Sequence, residues 1–136
     1  MTANAKVELI RSTKLAAGVP YAYAAITPKD SRLVFTAGAC PLDDAGTAVA
    51  IGDVRGQAEQ VMLNLRTALQ AAGADLSDVV KSTVYVASPS RPDLVTAWEV
   101  VSRHFDDHDA PSTLLGVAVL GYEDQLVEVE AVAVLR

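Results

Sequence analysis

The sequence predicts an α+β fold in which two helices pack on one face of a mixed sheet. Two segments carry apolar residues at helical spacing, and the other apolar runs are short and rich in Val, Ile, Tyr and Phe. The chain of 136 residues is 51% hydrophobic, and no repeat or flexible linker divides it. We therefore expect residues 1–136 to form a single domain with its own core.

The first two strands are predicted over residues 22–26 and 33–37, which are short apolar runs. The turn-rich segment 27–31, with the sequence Thr-Pro-Lys-Asp-Ser, separates them. Because consecutive strands joined by a short turn commonly pair, we expect an antiparallel hairpin here.

A long helix is predicted over residues 54–72, where apolar side chains recur at helical spacing. Asp53 stands where an N-cap residue belongs, and Gly73 stands where a C-terminal cap belongs. Both ends of the segment therefore agree with its periodicity.

The remaining elements are a strand, a second helix and two further strands. Residues 79–87 favour a pleated surface, and residues 94–105 carry an apolar helical stripe that includes Trp98, which we interpret as a core residue. Residues 112–120 and 126–135 are rich in β-formers. The order is ββαβαββ. Strand–helix–strand connections favour parallel neighbours, whereas the terminal hairpins favour antiparallel ones.

One face of this sheet is expected to lack a helix. In the last strand Val127 and Val129 alternate with Glu128 and Glu130, so successive side chains point to opposite faces. The face away from the helices is still too apolar for water, and a partner subunit is expected to cover it. The residues that we assign to this face include Ala22, Ala24, Val34, Thr36, Val84 and Val86.

Charge and hydropathy exclude several classes of function. The net charge is −6, so binding to nucleic acid or to an anionic membrane is not expected. Residues 1–11 lack the apolar stretch of a signal peptide, and no segment approaches the length of a membrane span. A single cysteine excludes a disulfide framework within the chain, and a cytoplasmic location is expected.

Motifs for phosphate loops, zinc sites and serine hydrolases are absent from the sequence. His104 and His108 are four residues apart, but the acidic residues around them indicate a helix exit, so we interpret them as solvated rather than metal-binding. Cys40 follows a predicted strand; a buried packing role is favoured over a nucleophile, because no activating base or cation lies near it in sequence.

Taken together, several stretches resemble the Rid family, the reactive intermediate deaminases that are also called YjgF-like or endoribonuclease L-PSP. No single motif is diagnostic, but the order and spacing of these stretches are specific, and they span nearly the whole chain. They cover residues 19–24, 33–43, 52–54, 57–73, 71–81, 76–86 and 126–133.

The resemblance implies a chorismate-mutase-like fold, with a mixed six-stranded sheet and two helices packed on one face. It also implies a homotrimer whose sheets form a central barrel, with small-molecule clefts between subunits. In the best-characterised branch these clefts hydrolyse enamines and imines to 2-keto acids and ammonia, with no metal or organic cofactor. An arginine there binds the substrate carboxylate, for which its bidentate geometry is suited.

The chain departs from the family pattern at that arginine. Ser112 stands in its place, Leu114 replaces a frequent cysteine, and Gly121 replaces a typical proline. Serine cannot supply a fixed positive charge. Cations from elsewhere in the chain or from a neighbouring subunit are candidates for the missing charge, and the sequence does not choose among them. They are Arg32, Arg91 and Arg103.

Other cleft positions match the family. Tyr21 and Gly38 correspond to residues that line the site, and Glu128 corresponds to the glutamate that orients or deprotonates the attacking water. The alternative for Glu128 is an exposed strand residue or an intersubunit ion-pair partner, and the alternative for Tyr21 is simple packing. Thr113, beside Ser112, is a candidate hydrogen-bond donor to a neutral ligand.

Three functions are compatible with these residues. The first is an imine or enamine hydrolase whose substrates are larger, less acidic or aromatic. The second is a pathway-specific enzyme in which Glu128 and Cys40 act on another carbonyl-type intermediate. The third is a non-catalytic trimer that binds a small molecule or a partner protein. Ribonuclease activity is the weakest option, since the chain is acidic and has no basic groove.

Overall fold

The computed structural model describes residues 7–135 and has an α+β fold with two helices. The expectation about a signal peptide falls partly on residues 1–6, which lie outside the described residues. In chain order the elements are β1 (Glu8–Ile10), β2 (Ala24–Ile26), β3 (Arg32–Phe35), α1 (Val54–Ala71), a 3-10 turn (Leu76–Asp78), β4 (Val79–Val86), α2 (Arg91–Phe105), β5 (Ser112–Gly116) and β6 (Val127–Leu135).

Helix α1 confirms the predicted helix and both of its caps. The Asp53 carboxylate accepts a hydrogen bond from the Gly56 N–H at 3.0 Å, which satisfies one of the free donors of the first turn. At the other end Gly73 has a φ of +95°, and the Ala74 N–H donates to the Leu69 carbonyl oxygen. This Schellman arrangement stops the helix where the sequence places the glycine.

Helix α2 buries Ala97, Val101 and Phe105, as its apolar stripe predicts. Trp98 is half-buried and packs against the core, so the interpretation of Trp98 as a core residue is partly correct. Interpreting the two histidines as solvated was wrong. His104 lies inside α2, with Nε2 2.7 Å from Glu59 Oε2, and His108 Nε2 lies 2.8 Å from the Val79 carbonyl oxygen. Helix α2 ends at Phe105, after His104, and the residues that follow bring His108 to strand β4.

The six strands of the described part form two sheets instead of one. A two-stranded sheet pairs β1 with β2, and a four-stranded mixed sheet has the order β3-β6-β4-β5. The strands β4 and β5, which α2 connects, are parallel neighbours, as the strand–helix–strand rule predicts. Strands β3 and β4 are not neighbours, because β6 lies between them and is antiparallel to both.

Both expected hairpins are wrong. Strand β2 pairs with β1, a strand that was not predicted, and β3 pairs with β6 near the end of the chain. The last two strands are separated by β4, and β5 ends at Gly116. Turn residues mark where the chain reverses, but the choice of partner depends on burial. The long apolar β6 is buried best in the centre, between two other strands.

The sheet does have a face that the helices leave open, but the assignment of Val34, Val84 and Val86 to it is wrong. Val84 pairs with Val129 and Val86 with Val127, so all four point to the same side and are fully buried in the core under the helices. Side chains of the opposite parity form the open face. They include Leu33, Phe35, Thr83, Tyr85, Leu115, Glu128, Glu130 and Val132.

None of the helices within residues 7–135 is long and apolar enough to cross a membrane.

Candidate functional site

A short bridge between two segments brings three of the predicted site residues together. Beyond β3 the chain runs beside β6, where the Ala39 N–H donates to the Val129 carbonyl oxygen at 2.7 Å and the Val129 N–H returns a bond at 3.2 Å. Ala39 lies between Gly38 and Cys40, and Val129 follows Glu128. The bridge therefore places the Gly38 backbone and the Cys40 side chain against the Glu128 carboxylate.

The two oxygens of Glu128 have different surroundings. Oε1 accepts hydrogen bonds from Gln125 Nε2 at 3.1 Å and from Cys40 Sγ at 3.3 Å. Oε2 lies against the α-carbon of Gly38, where a β-carbon would be only 2.3 Å from it. Glycine is therefore required at position 38 by the close approach of the carboxylate.

Gln125 was not among the predicted site residues. It is buried, with only 4% of its surface exposed, and its side-chain oxygen Oε1 accepts a hydrogen bond from the Tyr122 N–H at 3.1 Å. Its Nε2 also donates to the Val127 carbonyl oxygen at 3.1 Å. The only sequence signal was an amide in the turn directly before a buried strand, where a side chain can reach back to the strand's first residues.

Cys40 is a half-buried thiol. Burial, followed by the hydrogen bond to Glu128 and its negative charge, raises the pKa of Cys40 to about 11. The thiol is therefore protonated at neutral pH and acts as a donor, which disfavours the nucleophile. The loop is held from the helix side, since Asn64 Nδ2 donates to the carbonyl oxygens of Cys40 and Leu42 at 2.9 Å each.

An open cavity of about 620 Å³ lies between this loop and helix α1. Gly38 and Cys40 form part of its wall, opposite the polar side chains of Gln60 and Asn64. The segment that carries Cys40 is thus accessible to small molecules as well as tied to Glu128.

The remaining predicted site residues gather in a second place. Tyr21, Ser112, Thr113 and Leu114 line a cavity of about 440 Å³ whose other walls are Pro20 and Trp98. The cavity is mostly apolar and aromatic, and its size suits a small organic molecule. Among residues 7–135, no positively charged side chain lines it.

The hydroxyls at this cavity are already hydrogen-bonded. Ser112 Oγ donates to the Ala110 carbonyl oxygen at 3.0 Å and lies 2.5 Å from the Oγ of the buried Ser82. Thr113 Oγ1 accepts from Lys81 Nζ at 2.6 Å. Ser112 is therefore held by the protein. Lys81, which was not among the predicted site residues, lies with Thr113 on the open face of the sheet, on the other side from Ser112.

The two groups of residues do not meet within one chain. Ser112 pairs with the buried Ser82 on the helix side of the sheet, whereas Glu128 pairs with Tyr85 on the open side. Strand β4 also lies between β5 and β6. A single copy of the chain thus offers the glutamate cluster and the aromatic cavity as separate surfaces.

The three candidate cations lie elsewhere. Arg103 forms an ion pair with Glu59 between the two helices, Arg32 begins β3, and Arg91 begins α2. The neighbouring His104 has a pKa below its usual value because of its burial and then the charges of Arg103 and Arg66. These arginines line neither cavity described above.

The second glutamate of β6 has a different partner. Tyr85 donates a hydrogen bond to Glu130 on the open face, and this bond, with burial and the two glutamate charges, raises the pKa of Tyr85. Glu130 is therefore engaged with a phenol, whereas Glu128 keeps one oxygen without a protein donor in the described contacts. In residues 7–135 there is no cluster of three His, Cys, Asp or Glu side chains that could hold a metal ion.

The chain is similar in sequence to known proteins. Residues 11–135 match the model of the family described as Endoribonuclease L-PSP. A RutC family protein of Pyrococcus horikoshii is 33% identical over 105 residues, which are 77% of this chain and 81% of that protein. A protein of Salmonella typhimurium named 2-iminobutanoate/2-iminopropanoate deaminase is 36% identical over 107 residues, which are 76% of this chain and 80% of that protein.

The same family is found among solved structures. The crystal structure of YyfB from Yersinia pestis, described as a protein of unknown function of the conserved Rid protein family, superimposes with a TM-score of 0.88 and 28% sequence identity. The match covers 96% of this chain and all of that one.

Proposed function

The chain belongs to the endoribonuclease L-PSP family, also called the Rid or YjgF-like family, and on this premise we propose that it hydrolyses imines or enamines. The products are a carbonyl compound and ammonia. The observation that carries the proposal is the Glu128 carboxylate, which is oriented through Oε1 and holds Oε2 against Gly38. The name of the Salmonella typhimurium relative, a deaminase of 2-imino acids, supports the same chemistry.

The proposed reaction uses only water and the protein. Glu128 Oε2 accepts a proton from a water molecule as its oxygen attacks the carbon of the C=N bond, which gives a tetrahedral carbinolamine. Glu128 passes this proton to the nitrogen, which then carries an NH2 group. The carboxylate next takes the hydroxyl proton and transfers it to the same nitrogen as the C–N bond breaks, so that ammonia leaves, the C=O bond forms and the carboxylate is regenerated. No metal or organic cofactor enters this scheme. Because the Cys40 thiol is protonated, it is not assigned a nucleophilic role.

We propose that a second copy of the chain completes the site and that the protein is a homotrimer. The glutamate cluster and the aromatic cavity lie on opposite sides of the sheet, so both reach one ligand only if they come from different copies. The open face also exposes large apolar side chains, with Phe35 73% exposed and Leu33 on the same edge strand, and with Leu115 on the opposite edge strand. In this assembly the ligand lies in clefts between subunits.

The assembly predicts a measurable change in mass. We expect sedimentation equilibrium to give three times the chain mass for the wild type, and Phe35→Glu to give a smaller species, because a charge would be buried without a partner. Val95→Glu is the matched control, since Val95 is an exposed apolar residue on helix α2, away from the open face. A wild-type monomer, or a Phe35→Glu protein of unchanged mass, would contradict the proposed interface.

The substrate range is proposed to be shifted from small imino acids towards larger, less acidic or aromatic imines. The cavity at the arginine position is lined by Tyr21, Trp98 and Leu114, with no cation from the described part of the chain, and Ser112 is held by Ser82 and Ala110. An apolar wall binds an aromatic side chain better than a carboxylate.

The test of the proposed function is ammonia release from a panel of imines, generated in place by an amino-acid oxidase and ranging from small aliphatic to aromatic. We expect the wild type to accelerate hydrolysis of the aromatic members. Hydrolysis of every member at the uncatalysed rate would contradict the proposal.

The substrate range has its own expected outcome. Ser112→Arg would place a bidentate cation in the cavity and raise kcat/KM for small carboxylate-bearing imines by about 10-fold. Ser112→Gln, which is long but uncharged, is the control. An equal gain in both variants would mean that side-chain length, not charge, limits the wild type.

A second candidate is a non-catalytic protein that binds a small molecule or a partner protein at the same surfaces. It is favoured because no cation among residues 7–135 lines the aromatic cavity, where the resembled enzymes hold their substrate. Saturable binding without product would support this candidate. A pathway-specific enzyme that acts on another carbonyl-type intermediate would instead give a product other than ammonia. A cytoplasmic location remains a prediction from the sequence.

A further inference from the structure

We propose that Gln125 and Cys40 are positioning residues that clamp Glu128 by its Oε1 atom and leave Oε2 as the oxygen that accepts the proton from water. This inference rests on the proposed function, which requires Glu128 as the base. It adds two residues that contact the base and not the substrate. The clamp is defined as the two bonds to Glu128 Oε1, from Gln125 Nε2 at 3.1 Å and from Cys40 Sγ at 3.3 Å.

The first half of the clamp is rigid. The Gln125 amide cannot rotate without losing a bond, because its oxygen accepts from the Tyr122 N–H while its nitrogen serves both Val127 and Glu128. The side chain is also buried, so water does not replace those partners at low cost. Gln125 therefore presents its N–H to Glu128 in a fixed direction.

The second half is held by the backbone loop. The Cys40 carbonyl accepts from Asn64 Nδ2 at 2.9 Å, and the bridge at Ala39 fixes the preceding residue to β6. The protonated thiol has one S–H and two acceptors in reach, Glu128 Oε1 at 3.3 Å and the Gly38 carbonyl oxygen at 3.4 Å. The charged carboxylate is the stronger acceptor of the two.

The two donors select one oxygen. Both converge on Oε1, while Gly38 lets Oε2 approach the backbone more closely than any other residue at position 38 would. A carboxylate fixed in this way loses little conformational freedom when the reaction begins, which favours the step that depends on its orientation. The clamp is thus expected to affect kcat more than KM.

The first experiment needs no turnover. Cys40 is the chain's single cysteine, so its thiolate can be titrated in the intact protein by the pH dependence of its alkylation by iodoacetamide, with the singly alkylated product counted by mass spectrometry. We expect Glu128→Gln to lower the pKa of Cys40 from about 11, because the carboxylate raises it, and Gln125→Met to raise it, because Gln125 lowers it. Gln70→Met, a surface amide bonded to Asp75, is the control. Identical titrations in wild type, Glu128→Gln and Gln125→Met would overturn the clamp.

The second experiment measures its effect on the reaction. Cys40→Val keeps the volume but removes the donor, and we expect kcat to fall about 10-fold with KM little changed. Cys40→Ser keeps a donor and should restore most of kcat, which neither a nucleophilic thiol nor a simple packing role predicts. Equal losses in the valine and serine variants would overturn the assignment of Cys40.

The two experiments separate failure of the clamp from failure of the function. If the wild type hydrolyses no imine, the proposed function falls, and the thiol titration still decides whether the three side chains are coupled. If imines are hydrolysed but the titrations do not move, the function stands and the clamp is wrong. Should Gln125→Met fail to fold, as its thermal unfolding would reveal, Glu128→Gln and the two Cys40 variants carry the test.

Discussion

Glu128→Gln is expected to reduce kcat for imine hydrolysis by about 10²–10⁴-fold, the range for loss of a general base. Glutamine has nearly the same shape, and its carbonyl oxygen still accepts from Gln125 and Cys40, so the local fold is retained. What is lost is an atom that can take a proton from water. The measurement is steady-state ammonia release at neutral pH with the best imine of the panel.

Glu130→Gln is the matched control for this experiment. Glu130 lies two residues along the same strand and on the same face, but its carboxylate accepts from Tyr85 and lies away from Gly38 and Cys40. Its loss should change kcat by only a small factor. If Glu130→Gln and Glu128→Gln were equally impaired, a general effect of charge on the open face would replace the specific role of Glu128.

Gly38→Ala is expected to lower kcat by about 100-fold, because a displaced Glu128 carboxylate no longer lies in the position from which it takes a proton from the attacking water. A β-carbon at position 38 would lie 2.3 Å from Oε2, 2.5 Å from Cδ and 2.7 Å from Cγ of Glu128. Two of these atoms belong to the carboxylate that the clamp holds, so the side chain must leave its position. Overpacking of this kind also costs about 1–3 kcal/mol of folding free energy, which denaturant unfolding would measure.

Gly121→Ala provides the comparison. An added β-carbon at position 121 would meet nothing within 4 Å, so activity and stability should both remain close to wild type. Gly38→Ala with unchanged kcat would mean that Glu128 does not need its observed position. Loss of stability without loss of turnover would assign Gly38 to packing alone.

Local patterns were enough for the helices and for the order of most elements. Asp53 and Gly73 set the ends of α1 because caps act within a few residues, and the apolar period of α2 selects its buried stripe. The same holds for the alternation of Val127 and Val129 with the two glutamates of β6, which the structure reproduces. Resemblance to the Rid family, with Tyr21, Gly38 and Glu128 as site candidates, also came from the sequence.

Apart from the parallel pair of β4 and β5, the strand partners were beyond the reach of the sequence, and so were the sheet faces. Val84 was assigned to the open face, yet its pairing with Val129 places it under the helices. A shift of one residue in parity moves a whole strand to the other face, and parity between distant strands is decided only when they pair. Strand β1 and the central place of β6 also depend on pairing between distant segments, and neither was predicted.

The site divides in the same way. From the sequence alone, Glu128 was identified as the most promising base, Cys40 as a thiol without a partner, and Ser112 as the replacement for an arginine. Only the tertiary structure brought Cys40 and Gln125 to one oxygen of Glu128 and separated Ser112 from them by the sheet. Residue types are fixed by the chain, but these contacts join residues as far apart as 40 and 128, and such distances close only when the strands pair and the core is buried.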